Sequence, residues 1–139
     1  DMPFEIGKGI LLQEGTDVTI VATGHLVWES LLAADELEKE GISVEIINIH
    51  TIKPLDEEII LKSVEKTGKI VTAEEHNYLG GLGESVAGVL ARRRPTPQEF
   101  VAVHDTFGES GTPAELMKKY EIDADAVVKA VKKIIERTK

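Results

Sequence analysis

Val18-Thr-Ile-Val-Ala22 is a short apolar run rich in β-branched residues, and Gly24 follows it closely. Such runs are typical of strands buried on both faces of a sheet. From Leu26 to Glu40 the apolar residues recur at helical spacing, and Gly41 suits a left-handed helix cap. Residues 18–41 therefore predict one strand-turn-helix unit.

The same unit recurs along the chain. Further strands are predicted at Val44–Ile49, Lys69–Ala73 and Phe100–Val103, with an antiparallel edge strand at Lys8–Gln13. Further helices are predicted from Asp56 to about Lys66, from the Gly80–Gly83 turn to about Arg93, from the Thr112–Glu115 capping box to Lys119, and onward from Asp123. This alternation predicts a single domain over residues 1–139. We expect a three-layer α/β/α sandwich with a five-stranded, mostly parallel sheet.

Composition narrows the classes of function. The 139 residues carry a net charge of −9, which disfavours nucleic acid as a partner because phosphate backbones would be repelled. Arg92-Arg93-Arg94 is the exception: we interpret it as a basic helix end, although it could also hold an anion or an acidic partner. The chain lacks cysteine, which excludes disulfides and thiolate chemistry and fits the cytoplasm, our expected location. We expect no signal peptide and no contact with a membrane.

All four histidines follow predicted strands: they are His25, His50, His76 and His104. Ligands bind at that edge of open α/β sheets. The residues leave open whether these histidines are separate structural groups or share a ligand cleft or a subunit interface. A metal site is disfavoured because no two histidines have the helical His-x-x-x-His spacing.

The densest feature is Glu74-Glu75-His76 followed by Gly80-Gly81-Leu-Gly83. Glycines between a strand and a helix can bring N–H groups to a phosphate, but the Rossmann spacing and the P-loop lysine are missing. Adjacent strand residues point to opposite faces, which argues against a Glu75–His76 acid–base pair. Ser110 lacks the spacing of a nucleophile elbow. We therefore assign no catalytic, cofactor-binding or metal residue, and only a candidate interface or ligand edge: His76, Asn77, Tyr78, Leu79, Gly80, Gly81 and Gly83.

Five segments, taken in order, resemble the C-terminal domain of transketolase. They are FEIGKG at 4–9, GTDVTIVATG at 15–24, TIKPLD at 51–56, EEHNYLGGLG at 74–83 and GESGTPAEL at 108–116. Related domains end the β subunits of 2-oxo acid dehydrogenases and deoxyxylulose-phosphate synthase. The tail from Ser110 through Tyr120-Glu-Ile-Asp123 resembles transketolase more than either of these.

The resemblance implies a structural and assembly domain, inactive alone. Its parent enzyme, in the pentose phosphate pathway, would move a two-carbon ketol unit between sugar phosphates. Thiamine diphosphate and a divalent metal, Mg²⁺ or Ca²⁺, would be bound by other domains, because their Gly-Asp-Gly…Asn motif is missing here. The implied partners are the other transketolase domains or an N-terminal subunit, within a homodimer. The alternatives are the equivalent dehydrogenase or synthase domain, and an independent small-ligand module that uses the histidine edge.

Overall fold

The computed structural model describes residues 7–75, 81–103 and 111–139. Within these ranges the strands are β1 (Ile10–Gln13), β2 (Val18–Ala22), β3 (Val44–Asn48), β4 (Ile70–Glu75) and β5 (Gln98–Val103). The helices are α1 (Leu26–Glu38), α2 (Glu57–Thr67), α3 (Leu82–Arg93) and α4 (Pro113–Arg137). None of the helices in the described part of the chain is both long and apolar enough to cross a membrane.

The strands form one sheet in the order β1-β3-β2-β4-β5. All pairs are parallel except β1 with β3, where the register shifts between Leu11 and Gln13. Helices α1 and α4 cover one face of this sheet, and α2 and α3 cover the other. The predicted five-stranded, mostly parallel sheet with an antiparallel edge strand is therefore confirmed, and so is the α/β/α layering.

Strand β2 is the centre of the core, and each of its residues is buried. Ile20 and Ala22 pack toward α1 and α4, whereas Val21 packs toward α2 and α3. Thr19 is also buried, but its hydroxyl lies 2.6 Å from Ser63 Oγ and 2.7 Å from Thr67 Oγ1 on α2. This polar group is therefore buried with its hydrogen-bonding capacity satisfied, as a stable core requires.

Two predicted helix starts are confirmed by their capping bonds. Asp56 accepts hydrogen bonds from the N–H of Ile59 and from the N–H of Gly9, so it also ties the chain before β1 to α2. Thr112 and Glu115 form the reciprocal capping box at the start of α4. Each arrangement satisfies amide groups that a helix N-terminus leaves without partners inside the helix.

The interpretation of the three arginines as a basic helix end is also confirmed. Arg92 and Arg93 lie in the last turn of α3. Arg93 Nη1 lies 2.9 Å from Glu57 Oε1 and 2.8 Å from Glu58 Oε2, in the first turn of α2. The basic side chains at the C-terminal end of α3 thus pair with the acidic side chains at the N-terminal end of α2, which covers the same face of the sheet.

The prediction of two helices near the C-terminus is wrong. A single helix, α4, runs from Pro113 to Arg137. Asp123 does not cap a new helix: its carboxylate is buried and accepts a 2.7 Å hydrogen bond from Lys119 Nζ, one turn earlier. A side chain that bonds within the helix leaves the backbone free to continue through residues 120–122.

The positions of the glycines around residue 81 also differ from expectation. Gly81 has φ +54° and occupies the N-cap position, whereas Gly83 is a residue of α3 and has no left-handed backbone. A Cβ on Gly83 would collide with the ring of Phe100. Gly83 is therefore required by close helix–strand packing, not by backbone strain.

We predict that Gly83→Val lowers the free energy of unfolding by about 1–3 kcal/mol, because the added atoms overpack the contact with Phe100. The half-exposed ring of Phe100 can move outward, which keeps the cost in this range. Gly88→Ala is the matched control in α3, since no described atom lies within 4 Å of its added Cβ. It should raise stability by about 0.5–1 kcal/mol. Urea denaturation of both variants checks this, and an unchanged midpoint for Gly83→Val would contradict it.

Candidate functional site

The carboxyl ends of the parallel strands lie at one edge of the sheet, where two of the histidines are described. His25 follows β2 and its side chain is 64% exposed, whereas His50 follows β3 and is half-buried. His76 and His104 lie outside the described residues, as do Asn77, Tyr78, Leu79 and Gly80. In the described ranges no three His, Cys, Asp or Glu side chains are grouped so that they could hold a metal ion.

Glu74 forms the most specific contact at this edge. Its carboxylate accepts a 2.9 Å hydrogen bond from the N–H of Leu82 and a 2.8 Å hydrogen bond from the N–H of Gly83. These amides are at the N-terminus of α3, where helices attract negative charge. The chain therefore places its own carboxylate where a bound anion would otherwise accept these two bonds.

The role of Glu74 was missed from the sequence, although a signal was present. An acidic residue at the end of a strand, a glycine turn and then a helix bring a carboxylate close to free amides. The left-handed Gly81 turns the chain back so that α3 begins beside β4. Phosphate binding at these glycines, which the missing Rossmann and P-loop patterns already disfavoured, is weakened further because the amides of Leu82 and Gly83 have a partner.

Glu75 points to the opposite face of the sheet, as expected for the next residue of a strand. It is buried, and its Oε1 lies 3.9 Å from Nε2 of His25 at the start of α1. Gly24, with φ +56°, lets the chain turn close to this carboxylate. Among the described histidines, His25 is therefore the one whose side chain lies close to Glu75. This pair was not predicted from the sequence.

A second buried carboxylate, Glu29, lies in the seam between α1 and α4. It is 1% exposed, and its Oε1 has no hydrogen-bond partner among the described residues. Burial raises the pKa of Glu29 to about 7, and the negative charge of Asp123 acts in the same direction. A hydrogen bond to its own backbone, together with His25 and Lys119, opposes the rise. Burial between α1 and α4 therefore keeps the Glu29 carboxyl protonated below neutral pH.

We predict that the Glu29→Gln variant is more stable than the parent at pH 8 and equally stable at pH 4. The folded-state pKa of Glu29 is raised from 4.5 to about 7, so stability decreases as pH rises between these values. At about 1.4 kcal/mol per pKa unit, the rise of about 2.5 units costs about 3–4 kcal/mol above pH 7, and glutamine does not undergo this loss. Urea denaturation across this pH range measures the difference between the two proteins.

Glu36→Gln is the matched control, because Glu36 is on the same helix but its side chain is 65% exposed. Glu36→Gln removes the same carboxylate from an exposed position, so it controls for the loss of one charge. If the stability difference between Glu29→Gln and the parent is constant with pH, Glu29 does not titrate as described.

Comparison with known proteins places these features in a family. Residues 7–127 match the family model described as transketolase, C-terminal domain. The chain is 48% identical over 134 residues to a 6-deoxy-6-sulfo-D-fructose transketolase subunit of Clostridium sp. (strain MSTE9), covering 96% of this chain and 42% of that relative. It is 45% identical over 129 residues to a putative transketolase C-terminal section of Methanocaldococcus jannaschii, covering 92% of this chain and 40% of that relative.

A solved structure agrees. The chain superposes on a split-gene transketolase described as an inactive beta4 tetramer, with a TM-score of 0.82 and 47% identity. The match covers 97% of this chain and 44% of that one, so the chain spans less than half the length of these relatives. The fold and these matches together define an α/β domain of the kind that forms part of transketolases. The chain belongs to the transketolase C-terminal domain family, and the resemblance found in the sequence is confirmed.

Proposed function

We propose that this chain is the structural and assembly domain of a transketolase. The complete enzyme would transfer a two-carbon ketol unit between sugar phosphates, as part of the pentose phosphate pathway in the cytoplasm. The observation that carries this proposal is the family match over residues 7–127, on a chain that covers 42% of a relative named as a transketolase subunit. Relatives named as transketolases favour this function over the dehydrogenase and synthase alternatives.

The complete enzyme would use thiamine diphosphate with Mg²⁺ or Ca²⁺, but the described residues of this chain do not fit that group. No set of acidic or histidine side chains in the described part is arranged for a metal ion. The amides of Leu82 and Gly83, which could have met a phosphate, are bonded to Glu74. We propose that the parts of the enzyme outside this chain bind the cofactor.

We further propose that residues 76–83 form a contact with the other transketolase domains or an N-terminal subunit, within a homodimer. The Glu74 bonds to α3 fix the C-terminal end of this segment on the sheet edge. Tyr78 and Leu79 give it apolar side chains of the kind found at interface centres. The related chain described as a beta4 tetramer supports association between copies or subunits.

Reconstitution tests this function. The matched region of the Clostridium transketolase subunit can be exchanged for this chain, and ketol transfer measured with the remaining parts of that enzyme. We expect activity from the combined protein and none from the chain alone. Calorimetry of the chain alone with thiamine diphosphate and Mg²⁺ should show no saturable binding, and micromolar binding would contradict the proposal.

Replacing Tyr78 and Leu79 with Asp within the same exchange tests the contact. The variant should remain folded but lose association and activity, because two charges would be buried at the contact. Sedimentation measures association, and thermal melting measures folding. A large fall in the melting temperature with unchanged association would show that these side chains belong to the core of the domain.

A further inference from the structure

A groove of about 560 Å³ runs between α1 and α4 on the outer side of the domain. Its apolar lining comes from Leu32, Ala124 and Val128. The helices run in the same direction, since Glu29 of α1 is near Asp123, and Glu40, just after α1, pairs at 2.9 Å with Lys132 farther along α4. The Glu40–Lys132 pair joins the two sides of the groove toward the C-terminal ends of the helices.

The lining of the groove is acidic. It includes five carboxylates and two lysines, a net charge of −3, from Asp35, Glu36, Glu40, Glu121, Asp125, Lys39 and Lys132. Lys39 pairs with Glu36, and Lys132 pairs with Glu40. Asp125 pairs with Lys129, a residue that does not line the groove. Asp35 and Glu121 thus remain, on opposite sides, without an ion pair among the described residues.

The apolar surface continues beyond the lining residues. Trp28 lies one helical turn before Leu32 and is 55% exposed, and Met117 lies one turn before Glu121 and is 62% exposed. Tryptophan and methionine are enriched where proteins bind one another, and methionine adapts to different apolar partners. Residues at this spacing share a helix face, so Trp28 and Met117 are exposed apolar side chains next to the lining residues Leu32 and Glu121.

We propose that the α1–α4 groove is a docking site for a basic amphipathic helix of a partner protein. Leucine-like anchors would pack on Leu32 and Val128, and flanking lysines or arginines would pair with Asp35 and Glu121. This is the helix-in-groove mode of recognition. A second copy of the chain fits less well, because its own net charge is −9. The site shares no residue with segment 76–83 and does not depend on the transketolase assignment.

Trp28 is the only tryptophan of the chain, so its fluorescence reports on the surface one helical turn from the groove residue Leu32. The probe is a synthetic tryptophan-free helical peptide with leucines on one face and lysines on the other. We expect saturable binding with a blue shift of the emission. The double variant Asp35→Lys/Glu121→Lys should bind at least tenfold more weakly at low salt.

Glu14→Lys/Glu65→Lys is the matched control, because it changes the net charge equally at exposed positions outside the groove. It should weaken binding less than threefold, with melting temperatures confirming that both variants fold. Equal weakening by the two double variants would overturn the proposal in favour of general charge attraction. Absence of saturable binding, or binding without a Trp28 shift, would also overturn it. Self-association of the free chain that Asp35→Lys/Glu121→Lys abolishes would make a second copy the occupant instead.

Discussion

The hydrogen bonds from the N–H groups of Leu82 and Gly83 to the Glu74 carboxylate join helix α3 to strand β4, beside the central strand of the sheet. Strand β4 pairs with β2 on one side and β5 on the other, so the end of β4 lies between the ends of two neighbouring strands. Gln98 of β5 adds to the joint by donating a 3.0 Å hydrogen bond to the carbonyl of Gly83. Close approach of α3 is possible only because Gly83 has no side chain.

The carboxylates on the two faces of the sheet differ in their hydrogen bonding. On the α3 face Glu74 is satisfied by backbone amides, which makes it a structural cap. On the α1 face Glu75 and Glu29 are buried with oxygens that lack hydrogen-bond partners among the described residues. A buried carboxylate without partners is costly in its charged form, which explains the raised pKa of Glu29.

Much of the fold could be predicted because its signals are local. The apolar runs of β2, β3 and β4 and the caps at Asp56 and Thr112 are read from neighbouring residues. The continuous helix α4 was not predicted, because aspartate is a common N-cap residue. The structure instead buries the Asp123 carboxylate, which accepts a hydrogen bond from Lys119 within the helix. The strand order likewise depends on contacts far apart in sequence.

The candidate site was less predictable for the same reason. The sequence drew attention to residues 74–83, but the partner of the glycine-turn amides is a side chain eight and nine residues earlier. The ion pair of Glu75 with His25 joins the end of β4 to the start of α1, and the burial of Glu29 depends on where α4 packs. The last two relations have no fixed spacing that a motif could express, whereas the strand end, glycine turn and helix start around Glu74 follow one another in the sequence.

Amide hydrogen exchange of Leu82 and Gly83, in the parent and in Glu74→Ala, tests the central claim that Glu74 anchors α3. A helix cap contributes about 1 kcal/mol, so the account predicts that removing the carboxylate speeds exchange at these two amides by about five- to tenfold. Amides of β2 should keep their protection. Unchanged exchange at Leu82 and Gly83 would contradict the account, because it would show that the helix start is held without Glu74.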